Sequence, residues 1–413
     1  MRTLISIALV LACLANAHAQ DTTSLQLDGK LSAQWNDSNA SKLGPLAQAN
    51  TLQDGIANLP GSGATFQAEL RARGNNWNAI ATLQHEQLAD GTTQSQSWVN
   101  ELVATHDAGN WQFSLGRKVV GWDVGYAFRP NDIVQQETRR TLISTTAQGR
   151  PVAMAEYFDA ESAWSLVLVN PTSGAERLAG AEPAFAARFY QRDGAVDWHA
   201  FVRAADRTGS SVGAAVAWVA GDALELHASA RLLEHADGLS GPPDAGTLAT
   251  RSLWQQRLLE RSTQALIGGT WTHESQLSVL FEAWWDGTAL SPDQWTQWKA
   301  RNQYLTGLAG SGVPIGAVAA NLAWQNDAFG ASNGLHRSNL YARLSWQRDA
   351  WQPALDLLYH PVDGGALVTA SLLYKGDRAQ WQAGLRHSVG PSDAVLMQLP
   401  TRGQAYLLAS WAF

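Results

Sequence analysis

The sequence predicts an all-β protein: a transmembrane antiparallel β-barrel of about 18 strands, with short turns at one end and long loops at the other. Three observations carry this. From residue 24 onward apolar and polar residues alternate with a period of two, the pattern of strands with one apolar face. The connections alternate between tight turns and long loops, a rhythm that a bilayer-spanning barrel keeps and a sandwich has no reason to keep. The chain also holds 19 Trp, 36 Gly and a single Cys, which suits a barrel with aromatic rings at two membrane interfaces. A length of 413 residues would otherwise suggest two globular domains. A mean hydropathy of -0.19, with no long apolar run after residue 19, excludes a helical membrane protein.

At the N-terminus, Met1-Arg2-Thr3 supplies one positive charge, Leu4 to Leu14 a short apolar stretch, and Ala17-His18-Ala19 an A-x-A site. Residues 1–19 therefore read as a signal peptide cut before Gln20, and 20–413 as one barrel domain. Reading Cys13 as a lipoprotein cysteine would leave too short an apolar region. With Cys13 in the leader, the mature chain has no cysteine, which excludes disulfide scaffolds, thiol catalysis and cysteine zinc sites.

The first strand sets the rule: Leu25, Leu27, Gly29, Leu31, Ala33 and Trp35 share one face, and Gln26, Asp28, Lys30, Ser32 and Gln34 the other. Eighteen segments follow it, near 24–36, 64–73, 75–86, 97–106, 110–119, 151–159, 162–170, 183–192, 195–205, 210–220, 222–233, 262–272, 276–286, 338–348, 351–359, 365–374, 378–387 and 403–413. Tight turns such as Asp107-Ala108-Gly109, Arg192-Asp193-Gly194 and Lys375-Gly376-Asp377 carry the Gly and Asp that turn geometry asks for. Between them lie mostly longer connections at 37–63, 120–150, 171–182, 234–261, 287–337 and 388–402. An even count is what a bacterial barrel requires. Two places leave a range of 16 to 20 open: Leu102 and Val103 blur the phase of 97–106, and a hairpin around Gly316 to Trp324 would add strands. The uncharged run Asn302 to Asn326 is interrupted by Gly307, Gly310, Gly312, Pro314 and Gly316, and reads as loop or edge strand.

Closure explains why such strands are insertable, because in hydrocarbon every backbone N–H and C=O must pair. Trp35, Trp77, Trp111, Trp164, Trp198, Trp218, Trp271, Trp285 and Trp346 fall mostly at ends of the apolar phase, where amphipathic rings form interfacial girdles. In the last segment Ala405, Leu407, Ala409, Trp411 and Phe413 alternate with Gln404, Tyr406, Leu408, Ser410 and Ala412. This segment resembles the C-terminal strand of Gram-negative outer-membrane proteins, with a motif match over the last ten residues. The resemblance implies an outer-membrane location in contact with lipid and lipopolysaccharide. It also implies that Trp411 and Phe413 serve as the signal read by the barrel assembly machinery.

The polar phase predicts the residues that face the lumen. Lys30, Arg71, Lys118, Arg188, Arg203, Arg231, Arg343 and Arg386 are positive; Asp28, Glu69, Glu156, Asp197, Glu225, Glu282 and Asp356 are negative. So even a balance reads as ion pairs bracing the wall and argues against strong selectivity from the wall alone. The net charge of -7 gives no basic footprint, which excludes nucleic acid as a partner.

The stretch 117–150 is the strongest functional candidate. It places Lys118, Asp123, Arg129, Asp132, Glu137, Arg139 and Arg140 in one long connection as pore-constriction candidates. Asp132, three residues before Gln135, reads as a helix cap for Ile133 to Leu142. In position and in carrying both charge signs, this loop resembles the one that folds into the lumen of general porins. The resemblance implies a passive channel for small hydrophilic solutes, with self-association into a homo-oligomer left open. The alternative is an export or assembly barrel that passes a polymer or peptide outward with a periplasmic partner. Alginate-export channels and substrate-specific porins of about 18 strands are the nearest analogues. Leu115-Gly116-Arg117-Lys118, followed by Trp122, Phe128, Pro130 and Asp132, resembles the former, but the acidic wall residues depart from an arginine-lined alginate lumen.

An enzymatic reading rests on His227-Ala228-Ser229, whose spacing resembles the His-x-Ser of the outer-membrane phospholipase. Here both residues lie in the inward phase, beside Glu225 and Arg231 and with no Asn nearby in sequence, so a polar lumen cluster is the preferred reading. No metalloprotease spacing, P-loop, nucleophile elbow or dinucleotide fingerprint occurs, so no cofactor and no metal are expected.

Overall fold

The computed structural model describes residues 25–135, 147–171, 181–242, 244, 246, 248–330 and 334–413. The proposed leader and its cleavage site lie outside them. In chain order the strands are β1 (Gln26–Ala40), β2 (Gly63–Gly74), β3 (Trp77–Gln87), β4 (Thr93–Ala108), β5 (Trp111–Lys118), β6 (Arg150–Phe158) and β7 (Ser162–Val169). Next come β8 (Ala184–Asp193), β9 (Val196–Ala205), β10 (Gly209–Gly221), β11 (Leu224–Leu233), β12 (Ala236–Ser240), β13 (Gln255–Leu259), β14 (Ser262–Thr272) and β15 (Leu277–Asp286). The last are β16 (Ser338–Trp346), β17 (Trp351–Tyr359), β18 (Ala366–Lys375), β19 (Ala379–Val389) and β20 (Thr401–Ala412). All except β12 and β13 join one 18-stranded antiparallel sheet, in which each strand pairs with its sequence neighbours. The sheet closes where β1 pairs with β20, from Lys30↔Ala412 to Ala40↔Thr401. At the seam Gly29 and Phe413 exchange both backbone hydrogen bonds, at 2.9 and 3.0 Å. No backbone edge is left open.

The predicted phases hold along the wall. Leu27, Leu31, Trp35, Phe66, Trp198 and Val202 are exposed on the outside. Glu69, Glu156, Arg203, Arg231, Glu282 and Asp356 are buried on the inside. Beside the tight turns, outward rings pair across strands: Trp111 with Tyr157 at 5.2 Å, Trp164 with Phe189 at 4.4 Å, and Trp351 with Tyr374 at 4.8 Å. They belt the turn end of the barrel, while Trp35 and Trp285 stand at the loop end.

The blurred phase in β4 has a local cause. The β3–β4 register passes from Ile80↔Glu101 to Ala81↔Val99, so Asn100 is an extra, unpaired residue, a β-bulge. The inserted residue swaps the faces, which is why both Val99 and Leu102 are exposed outside while Asn100 and Val103 are buried.

Two regions differ from expectation. The stretch 287–337 holds no hairpin and no edge strand among its described residues. After α1 (Pro45–Leu52), this stretch contributes α2 (Pro292–Gly307) and α3 (Ile315–Trp324). Ser291 accepts from Gln294 N–H at 3.2 Å while Gln294 Oε1 accepts from Ser291 N–H at 2.8 Å, a capping box with Pro292 in the first turn. The run read as loop or edge strand is instead two helices separated at Gly310 and Gly312, with Pro314 starting the second. The loop 234–261 carries the small β12–β13 hairpin. These loops form a cap with its own apolar cores. Ala49, Leu305, Val318 and Leu322 join α1, α2 and α3, and Leu290, Trp295, Trp298, Phe329 and Val395 join α2 to the 3-10 turns at 325–330 and 395–398. Among the described residues no helix is long and apolar enough to cross a membrane.

Candidate functional site

The loop between β5 and β6 leaves the wall at Lys118 and meets it again far around the ring. Glu282, on β15, accepts the backbone N–H groups of Tyr126 at 2.6 Å and Ala127 at 2.7 Å. Counting β6–β11, β14 and β15, that strand is eight places from β5 in a ring of eighteen, so the segment crosses the interior almost from wall to wall.

Glu282 is fully buried, a costly position for a carboxylate unless its lone pairs are filled. Its third partner is the His227 ring, with Nε2 at 3.0 Å, and Nδ1 of the same ring faces Glu225 at 3.2 Å. His227 and Glu282 lie on β11 and β15, with β14 between them, and both register with Gly268. A Cβ on Gly268 would stand 2.5 Å from His227 Nε2 and 2.7 Å from Glu282 Cγ, so the glycine is what lets the pair meet over the intervening strand.

A second anchor is Asn131, itself fully buried. Its Nδ2 reaches Ser229 Oγ at 2.9 Å, Ala230 O at 3.1 Å and Ala214 O at 3.2 Å. Beside it, Arg231 donates to Pro130 O at 3.2 Å and to Ser211 Oγ at 2.9 Å. Phe128 stacks on Trp284 and Tyr126 on Tyr341, with centroids 5.7 and 5.9 Å apart. The opposite side of the loop is apolar: Val120, Trp122, Ile133 and Val134 pack on inward-facing Val152, Met154, Val167, Val169, Ala186 and Phe201. The returning limb is held by the bulge, where Asn100 O accepts from Gly149 N–H at 2.9 Å and Asn100 Nδ2 donates to Ala147 O at 3.2 Å.

The loop candidates are spent mainly on shaping the loop. Asp132 accepts from Trp122 N–H at 2.9 Å and pairs with Arg129 at 3.2 Å. Asp123 accepts the backbone N–H of Val124 and Asn131, and Arg129 donates to Asp123 O at 2.9 Å. The Asp132 carboxylate folds back onto Trp122, and Ile133, Val134 and Gln135 form a turn. Glu137, Arg139 and Arg140, with the rest of the proposed helix, lie outside the described residues.

Along the wall, four cations have carboxylate partners: Arg71 with Glu69 at 2.7 Å, Lys118 with Glu156 at 3.4 Å, Arg203 with Glu182 at 3.2 Å, and Arg343 with Asp356 at 2.7 Å. Glu182 comes from the loop before β8, outside the polar phase of any strand, so alternation gave no sign of it. Arg188 and Arg386 form no close ion pair among the described residues; Arg188 reaches His199 at 3.4 Å and lies over the Tyr190 ring at 5.4 Å. They stand on β8 and β19, nine places apart in the ring and so on opposite walls. His227 and Ser229 make no contact as base and nucleophile: both ring nitrogens face carboxylates, and Ser229 is held by Asn131, the Asn that sequence proximity did not reveal.

A closed antiparallel barrel of eighteen strands, apolar outside and polar inside, with a loop laid across its interior, is the fold of porin-like barrels. Among solved structures the chain is similar to OccK8 (OprE) of Pseudomonas aeruginosa, with a TM-score of 0.51 and 9% identity over 94% of this chain and 98% of that one. It is also similar to OccK11 (OpdR) of the same organism, with a TM-score of 0.50 and 10% identity over 94% and 96% of the two chains. At such identity the likeness is one of fold. No protein-family model matches the chain, and no curated protein matches it.

Proposed function

We propose that the protein is a passive outer-membrane channel for small hydrophilic solutes, with an aperture set by the loop between β5 and β6. The crossing of the interior from Lys118 to Glu282 is the observation that carries this reading. A loop tied across the lumen narrows it for a solute of any charge, and polar groups of the wall replace the water a solute loses. The same tie disfavours passage of a folded or polymeric cargo. Arg188 and Arg386, outside any close ion pair and on opposite walls, give the path a preference for anions. Phe413, whose backbone closes the seam, serves assembly, with the leader directing export.

Purified protein in planar bilayers tests this. Stepwise conductance that small solutes reduce in a concentration-dependent way is expected. Absence of any channel from fully folded, inserted protein would overturn it.

A further inference from the structure

At the loop end of the barrel three side chains gather that the channel reading does not use. His336 lies two residues before β16, His360 directly after β17, and Asp363 in the turn that leads to β18. Both imidazoles are almost fully buried. Their rings stand 4.8 Å apart in an edge-on arrangement, and His336 Nε2 is 2.8 Å from Asp363 Oδ2. The ligating atoms of all three lie within 4.8 Å of one another.

We propose that His336, His360 and Asp363 bind a divalent transition-metal ion of the zinc type. Two imidazoles and one carboxylate form a nitrogen and oxygen donor set that suits Zn²⁺ and leaves a coordination position for water. The Nδ1 atom of His360 is buried without a hydrogen-bond partner, a costly state for a polar atom that a metal bond would remove. Asp363 is held in place from behind: Oδ1 accepts Gly365 N–H at 3.0 Å and Oδ2 accepts Val395 N–H at 2.7 Å. His336 is positioned by Asn339 Nδ2, which donates to its carbonyl at 2.8 Å, and by the Trp295 ring 5.9 Å away. Supporting contacts of this kind orient ligands in metal sites.

The fit requires a small contraction. Donors about 2.1 Å from one ion in tetrahedral geometry are on the order of 3.4 Å apart. The His336–Asp363 pair already lies inside that distance, and the widest separation of 4.8 Å must shorten. The site joins the segment before β16, the turn 360–365 and, through Val395, the loop before β20. An ion there would pin three connections beneath the cap core of Trp295, Trp298 and Val395. His360 and Asp363 share one turn, but His336 comes from a separate connection, so no single spacing in the sequence announces all three.

The test uses the full barrel refolded in detergent, stripped with chelator and titrated with Zn²⁺, with bound metal measured by mass spectrometry and Co²⁺ visible absorption reporting the donor set. One ion per chain is expected, with a Kd of micromolar or below and a rise in Tm on loading. H336A, H360Q and D363N should each weaken binding at least tenfold and abolish the Tm rise, whereas H106A and H273A should leave both unchanged. H360Q keeps a polar side chain of similar reach, and heat-modifiable mobility on gels confirms that each variant is folded. Absence of binding to the wild-type barrel would overturn the proposal. So would binding that survives in folded H336A and H360Q, because the ion would then sit on exposed histidines.

Discussion

Replacing Glu282 with Ala is the sharpest perturbation of the loop. The change removes the acceptor of two loop N–H groups and the partner of His227 in one step. Hydrogen bonds to a charged group contribute about 1.5–3 kcal/mol each, so the two loop bonds together hold the loop by about 3–6 kcal/mol. Each 1.4 kcal/mol is about tenfold in a two-state population, so the undocked state gains at least about a hundredfold. Asn131, the Arg231 contact to Pro130 and the apolar face of Trp122 and Ile133 remain, so the loop should visit an undocked state without leaving the lumen permanently. In single-channel recordings E282A should show a larger mean conductance and more frequent gating steps than wild type. E282Q, which keeps one acceptor oxygen, should fall between them. Adding N131A to E282A should raise the conductance further, by more than the two single effects combined, because the anchors share one loop. Wild-type conductance and wild-type current noise in a normally inserted E282A barrel would refute the reasoning.

Three further expectations follow from the same geometry. In G213V the new Cβ would overlap Asn131 Oδ1 and stand 2.9 Å from the backbone oxygen of Ala230, so the anchor should be expelled and conductance should rise, with some loss of thermal stability because β11 must shift as well; a wild-type channel would contradict this. R188A/R386A removes two positive charges that form no close ion pair on opposite walls, so the reversal potential in a salt gradient should move toward cation selectivity, and an unmoved potential would place the selective step elsewhere. Cysteines introduced at Gly109 and Gly376, in the tight turns, should resist an impermeant thiol reagent on intact cells, whereas one at Ser291 should label; the reverse pattern would invert the membrane orientation.

The wall was legible because the bilayer and the lumen impose opposite demands on alternate residues. Leu27 and Leu31 must face lipid while Asp28 and Lys30 face water, and that conflict writes the period of two directly into the chain. The alternation fades, although the strand is still found, where its inner side holds no water. In Ser165-Leu166-Val167-Leu168-Val169 the outward Leu166 and Leu168 are exposed, while Val167 and Val169 are buried under the loop. The run is continuously apolar because both its faces are dry. That signal was present in the sequence, and it points to where the loop docks. The helices of the cap were hidden by their glycines, although Ser291-Pro292-Asp293-Gln294 carries a complete start signal. Glu182 and the His336–His360–Asp363 cluster were beyond reach, because each depends on which loops the closed ring brings together.

The exceptions to the strand rule share one neighbour. A plain barrel wall needs no extra residue in β4, yet Asn100 is inserted there and holds the returning limb of the loop. It needs no glycine in the middle of β10 or β14, where each costs about 0.5–1 kcal/mol relative to Ala. Gly213 nevertheless makes room for Asn131, and Gly268 makes room for the pair that receives Tyr126 and Ala127. It needs no apolar inner face on β6 and β7, yet Val152, Met154, Val167 and Val169 form one under Trp122 and Ile133. Each departure weakens the wall considered alone, and each contacts the loop or the pair that anchors it. Local costs that converge on one segment support the proposal that this loop sets the aperture. The wall is shaped to hold this loop across the lumen, which a barrel serving only as a structural shell would have no reason to do.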